Sequence, residues 1–61
     1  MKFEGIFNWH GEVTELYRHA NSVSQATSFM HQQLAQKYGV TAGRIRQYFS
    51  GQNDNCRIEK V

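Results

Sequence analysis

The sequence predicts an α+β domain: a small antiparallel sheet of three to four strands with one helix packed on one face, in the order β-β-α-β with a fourth strand near the C-terminus. Three observations predict it. Lys2–Trp9 alternates, with Phe3, Gly5, Phe7 and Trp9 on one side and Lys2, Glu4, Ile6 and Asn8 on the other, the period of a half-buried strand. Ala26, Phe29, Met30, Leu34 and Tyr38 recur at helical spacing and make one apolar stripe. The chain has 61 residues, 39% of them hydrophobic, so a single core must draw on all of these elements.

The first strand ends at His10-Gly11, a turn signal. Residues 12–20 form a second strand candidate, in which Val13, Thr14 and Tyr17 favour the pleated conformation. The two strands make a hairpin. Leu16 and Ala20 fall on one side of the second strand, Val13 and Tyr17 on the other, and either side can be the buried one.

The helix is bounded at both ends. Ser22 and Gln25 have capping-box spacing: the Ser oxygen accepts an N–H three residues on, and the Gln reaches back. Gly39 follows the last periodic residue and suits a left-handed cap, with Val40 folding back onto the helix end. These signals bound a helix over Val23–Tyr38, about 24 Å long at 1.5 Å per residue. Its apolar stripe reads as core and not as a cofactor box.

Two readings compete for residues 44–49. As a strand, Ile45, Gln47 and Phe49 face the helix while Arg44, Arg46 and Tyr48 face away. A Gly-, Asn- and Asp-rich loop over 50–55 and a last strand over 56–61, with Cys56 and Ile58 on one side, then complete the sheet. This is the preferred reading. In the other, residues 33–50 form a helix-turn-helix unit. Ala35 admits a close second helix, Gly39 makes the turn, and Val40, Ile45 and Tyr48 pack the pair. Thr41 then caps the second helix; Thr41, Arg46 and Gln47 face bases and Arg44 faces phosphates. Gly43 inside that helix costs about 0.8–1 kcal/mol relative to Ala.

Lys2-Phe3-Glu4-Gly5-Ile6-Phe7, Arg18–Ala20, Ser22, Ala26, Gly39 and Arg44-Ile45 together resemble archaeal ribosomal protein LX at the level of pattern. That resemblance implies a β-β-α-β topology and contact with RNA. This helix departs from the family in being rich in Gln, Ser and His where LX-type chains carry Lys, Arg and Glu, and residues 51–61 extend beyond the pattern.

Composition narrows function by exclusion. No apolar run reaches the roughly 18 residues of a membrane span, and Met1–Gly11 lacks the apolar core of a signal peptide. There is no proline, linker or repeat, so residues 1–61 read as one domain. Cys56 is the single cysteine, which excludes an internal disulfide and fits a cytoplasmic setting. His10, His19, His31 and Cys56 include no close ligand pair, so no metal or other cofactor is expected. Glu12 and Glu15, at odd spacing on a strand, point to opposite faces, and no phosphate loop or nucleophile motif is present; an enzyme is not expected.

Charge points to binding instead. The net charge is only +2, yet residues 16–53 contain no Asp or Glu while carrying Arg18, Lys37, Arg44 and Arg46. The expected function is therefore a small non-enzymatic nucleic-acid-binding module. Its basic and aromatic surface would comprise Arg44, Arg46 and Tyr48, joined by Tyr17, His19 and Lys37. Tyr17 and Tyr48 can instead be a cross-strand pair that stabilises the sheet. The alternatives are a protein-interaction or homodimerisation module of accessory or phage type, and a helix-turn-helix DNA-binding regulator.

Overall fold

Alternation in the first strand organises the sheet. The computed structural model describes residues 1–49 and 55–61. Strands β1 (Lys2–Trp9) and β2 (Glu12–His19) pair antiparallel from Lys2 opposite His19 to Trp9 opposite Glu12. The two residues between them, His10 and Gly11, have φ of 50° and 93°. Positive φ at both positions is the type I′ turn, whose twist matches that of a hairpin. Strand β3 (Cys56–Lys60) pairs antiparallel with the other edge of β1, so the order is β2-β1-β3.

This register settles which side of β2 is covered. Leu16 lies opposite Gly5 and Thr14 opposite Phe7, on the face where Phe3 and Phe7 are buried. Val13, Glu15, Tyr17 and His19 share the open face with Ile6. From β3, Cys56 and Ile58 join the covered face and Arg57 and Glu59 the open one.

Helix α1 (Val23–Tyr38) packs on the covered face through Ala26, Met30, Leu34 and Ala35. Its caps form as the spacing predicts. The Gln25 N–H donates to Ser22 Oγ at 3.1 Å, and Gln25 Oε1 accepts from the Asn21 N–H at 2.8 Å. Gly39 takes φ 67°, and the Val40 N–H donates to the Ala35 carbonyl at 3.0 Å. Satisfying these end groups leaves the apolar stripe to set the docking.

The segment 44–49 is not a strand. It belongs to α2 (Ala42–Phe49), so the sheet has three strands among the described residues and two helices cover it. The reason is spatial. The chain leaves the Gly39 cap on the covered face, over the core and away from the outer edge of β2. Coiled as a helix, it buries Ile45 and Phe49 one turn apart and half-buries Ala42 and Tyr48 beside them. The Arg44 N–H donates to Thr41 Oγ1 at 3.1 Å, capping α2. Gly43 is exposed with open space around it, so its only cost is propensity. The two helices and turn of the helix-turn-helix reading are thus present, with a sheet as their packing partner. Of the loop expected over residues 50–55, all but Asn55 lies outside the described residues. Among the described residues no helix is long and apolar enough to cross a membrane.

Gly5 sets how closely α1 approaches the sheet. A Cβ there would stand 2.5 Å from Met30 Sδ and 2.7 Å from Phe7 Cε2. Both side chains are fully buried, so neither has solvent to retreat into. Gly5→Ala should therefore destabilise the domain by about 1–3 kcal/mol in urea unfolding, as overpacking does. An unchanged midpoint would show that the α1 interface is looser than described.

Candidate nucleic-acid interface

The buried pair Ile45 and Phe49 orients α2. With about 100° between successive residues, Gly43, Arg44 and Gln47 turn outward, Arg46 lies toward one flank and Tyr48 toward the other. Arg44, Arg46 and Gln47 are exposed and Tyr48 is half-buried. The ridge is about 12 Å long, at 1.5 Å per residue.

On the Tyr48 flank the ridge borders an aromatic cluster at the hairpin tip. Trp9 stacks on Tyr38 with ring centroids 5.3 Å apart and planes 15° off parallel. Its centroid is 4.6 Å from those of both Tyr48 and His10. The His10 N–H donates to the Tyr48 hydroxyl at 3.2 Å. The Tyr38 hydroxyl donates to Glu12 Oε2 at 2.9 Å and lies 2.7 Å from Thr14 Oγ1. These contacts bind the ends of α1 and α2 to the hairpin. They leave a shallow cleft of about 200 Å³ whose lining includes Trp9, His10 and Tyr48, with Arg44 and Gln47 at its rim.

Of the residues expected to share one surface, Arg44, Arg46 and Tyr48 stay together on α2. Tyr17 and His19 do not join them: they lie on the open face of β2, across the sheet. The expected grouping required residues 44–49 to be a strand facing away from α1, and the helix removes that condition. A Tyr17–Tyr48 cross-strand pair is excluded for the same reason. Tyr17 is exposed, with its hydroxyl 2.7 Å from Glu15 Oε1 and 2.8 Å from Glu4 Oε2. Its hydrogen bonds to Glu15 and then Glu4 hold the phenol far above its ordinary range. Lys37, in the last turn of α1, is tied to the hairpin: its ammonium donates to Thr14 Oγ1 at 3.1 Å and lies 3.5 Å from Glu12 Oε2. The Thr41 hydroxyl is occupied in capping α2, which gives Thr41 a positioning role.

The open face mixes both signs, with Lys2 and Arg57 beside its acids. Glu4, Glu15 and Glu59 all belong to the open face. Glu12 is on the helical side, paired with Lys37 and Tyr38, and the described residues from Leu16 to Phe49 contain no acid. Among the described residues no group of three or more His, Cys, Asp and Glu side chains is placed to hold a metal ion. Comparison with protein-family models, with curated proteins and with solved structures found no match to this chain.

Sequence reasoning missed two features. The Trp9 cluster joins elements far apart in sequence, and its one visible signal is the position of Trp9 at the hairpin end of the inward-facing series. The other is His31, half-buried with its ring centroid 6.2 Å from that of Phe7 and 6.3 Å from that of Phe49. Its place in a polar series with Ser24, Thr27 and Ser28 at helical spacing was available as a signal. Burial, and secondarily the nearby Arg46 charge, hold the His31 pKa below its ordinary value. The unfolded chain therefore binds the extra proton first as pH falls through about 6.5, and stability declines with it. Urea midpoints should drop between about pH 7 and 5, and His31→Gln should flatten that slope. An equal slope in the variant would place the pH dependence elsewhere.

Proposed function

We propose that this domain binds nucleic acid, duplex DNA foremost, through the outer ridge of α2. One observation carries the reading: Arg44 and Arg46 stand on either side of Gly43 and Gln47 on an exposed helix, on the side of the sheet where the one acid among the described residues, Glu12, is already engaged by Lys37 and Tyr38. Guanidinium groups flanking such a ridge suit the two phosphate walls of a groove, and an amide between them suits base edges. Gly43 lets the helix approach closely because it presents no side chain. The acids of the open sheet face then point away from the phosphates. Tyr48 contributes one partly exposed ring edge, since the Trp9 cluster holds the rest of it.

A binding module also fits the placement of the carboxylates better than an enzyme does. Glu12 is engaged by Lys37 and Tyr38, Glu15 by Tyr17, and the two lie on opposite faces of the sheet. The likeness to ribosomal protein LX makes single-stranded RNA the competing ligand, which the same titration addresses. Fluorescence anisotropy with a mixed-sequence duplex, run beside RNA of equal length, should give tighter binding to the duplex. Affinity should fall as salt rises. Arg44→Gln together with Arg46→Gln should lower the slope of log K against log salt by about 2 while leaving the circular dichroism spectrum unchanged. Absence of duplex binding at low salt, or an unaltered slope in the double variant, would falsify the reading.

Self-association is the second reading, and the outer edge of β2 supports it. No described strand pairs with that edge, and an unpaired edge of eight residues is a template for another strand. If a second copy pairs antiparallel with Leu16 opposite Leu16, then Glu15 meets Tyr17, Thr14 meets Arg18 and Val13 meets His19. No like charges face each other in this register. Light scattering should then report twice the 7.1 kDa chain mass, reverting toward the monomer in Val13→Lys. A monomer at every concentration would remove this reading without touching the first.

A further inference from the structure

The other flank of α2 carries a second cleft, of about 390 Å³, between α1 and α2. Ser24, Thr27, Ser28 and His31 are part of its α1 wall, while Ala42 and Arg46 come from α2. Among the described residues the ionisable groups that line it are His31 and Arg46, and no carboxylate does. Arg46 has no carboxylate partner among the described residues. Ser24 sits in the first turn of α1, which contains no acid to offset the positive end of the helix. The Phe7 and Phe49 rings hold His31 in place from below.

We propose that this cleft is a phosphate-binding site. Arg46 is the cationic anchor, the His31 imidazole a second donor, and the Ser24 and Ser28 hydroxyls complete the ring of donors. Its volume lies in the range of small-ligand pockets and admits a phosphate with a sugar attached. The shared chemistry is a phosphate oxyanion, supplied by a nucleic-acid backbone or by a free phosphate monoester. The site shares Arg46 with the α2 ridge, but it stands on the cleft and does not require duplex binding.

Arg46 is the charged group facing His31 from α2, while β1 presents the apolar Phe7 ring. In the free domain burial and Arg46 favour the neutral imidazole. An anion seated between them reverses the sign of the local field, so binding and protonation of His31 reinforce each other.

Amide and imidazole NMR spectra of the whole domain test this, with inorganic phosphate titrated against chloride at matched ionic strength. Saturable shifts should be confined to residues 24–32 and 42–46, and the His31 titration midpoint should move up by about half a pH unit in phosphate. Arg46→Gln should weaken phosphate binding about tenfold or more. His31→Gln should weaken it less and remove its enhancement at low pH. Shifts no larger than those in chloride, or full affinity in Arg46→Gln, would overturn the proposal. Titration with a nucleoside monophosphate, beside the same nucleoside without phosphate, separates the two sources. Tighter binding of the monophosphate than of inorganic phosphate assigns a free ligand, and movement of the α1 amides 24–32 on duplex addition assigns the backbone. Phosphate binding without duplex binding supports the cleft and removes the nucleic-acid reading. Duplex binding together with phosphate shifts no larger than those in chloride does the reverse.

Discussion

The close approach of α1 to the middle of β1 is the contact on which the remaining structure depends. Gly5 leaves a gap in the covered face, and Met30 and the Phe7 ring fill it. With α1 seated there, its C-terminal turn reaches the hairpin, where Tyr38 stacks on Trp9. The Gly39 cap then releases the chain on the same side of the sheet, so that α2 lays Ile45 and Phe49 into the core. A side chain at position 5 would lift α1 and displace each of these contacts in turn. Small domains have little surplus stability to absorb such a shift.

The same sheet places the acids of its open face. Because successive strand residues point to opposite faces, the register that buries Phe3 and Phe7 also puts Glu4, Glu15 and Glu59 on the far side from both helices. The helices contribute Arg44 and Arg46 with no acid beside them. A modest total charge is therefore compatible with a local cationic surface, and local potential, more than net charge, governs encounter with phosphates. The Trp9 cluster is both fastening and surface: the rings that hold α2 to the hairpin also form the wall beside its outer ridge.

The hairpin and α1 were legible because several local signals agreed on each. Alternation, the His10-Gly11 turn and β-favouring residues mark the strands, while the Ser22 and Gln25 spacing and Gly39 bound the helix. Residues 44–49 were ambiguous for a definite reason. Ile45 and Phe49 are four apart, an even number and also close to one helical turn, so both periods put them on one face. Arg44 and Arg46 were legible as exposed cations because both readings put them outward. Their grouping with Tyr17 and His19 depended entirely on the strand reading.

The sequence by itself determined the α+β class, the hairpin, the bounded helix and the acid-free stretch that bears the arginines. All of these are properties of near neighbours and local period. Only the tertiary structure decided that residues 42–49 coil, since that turns on the chain leaving α1 over the core, where a helix buries Ile45 and Phe49. It also decided which face of β2 is covered, through the register that sets Leu16 against Gly5. The cleft between the helices likewise exists only once α2 has docked, because its two walls meet through a core that neither segment forms alone.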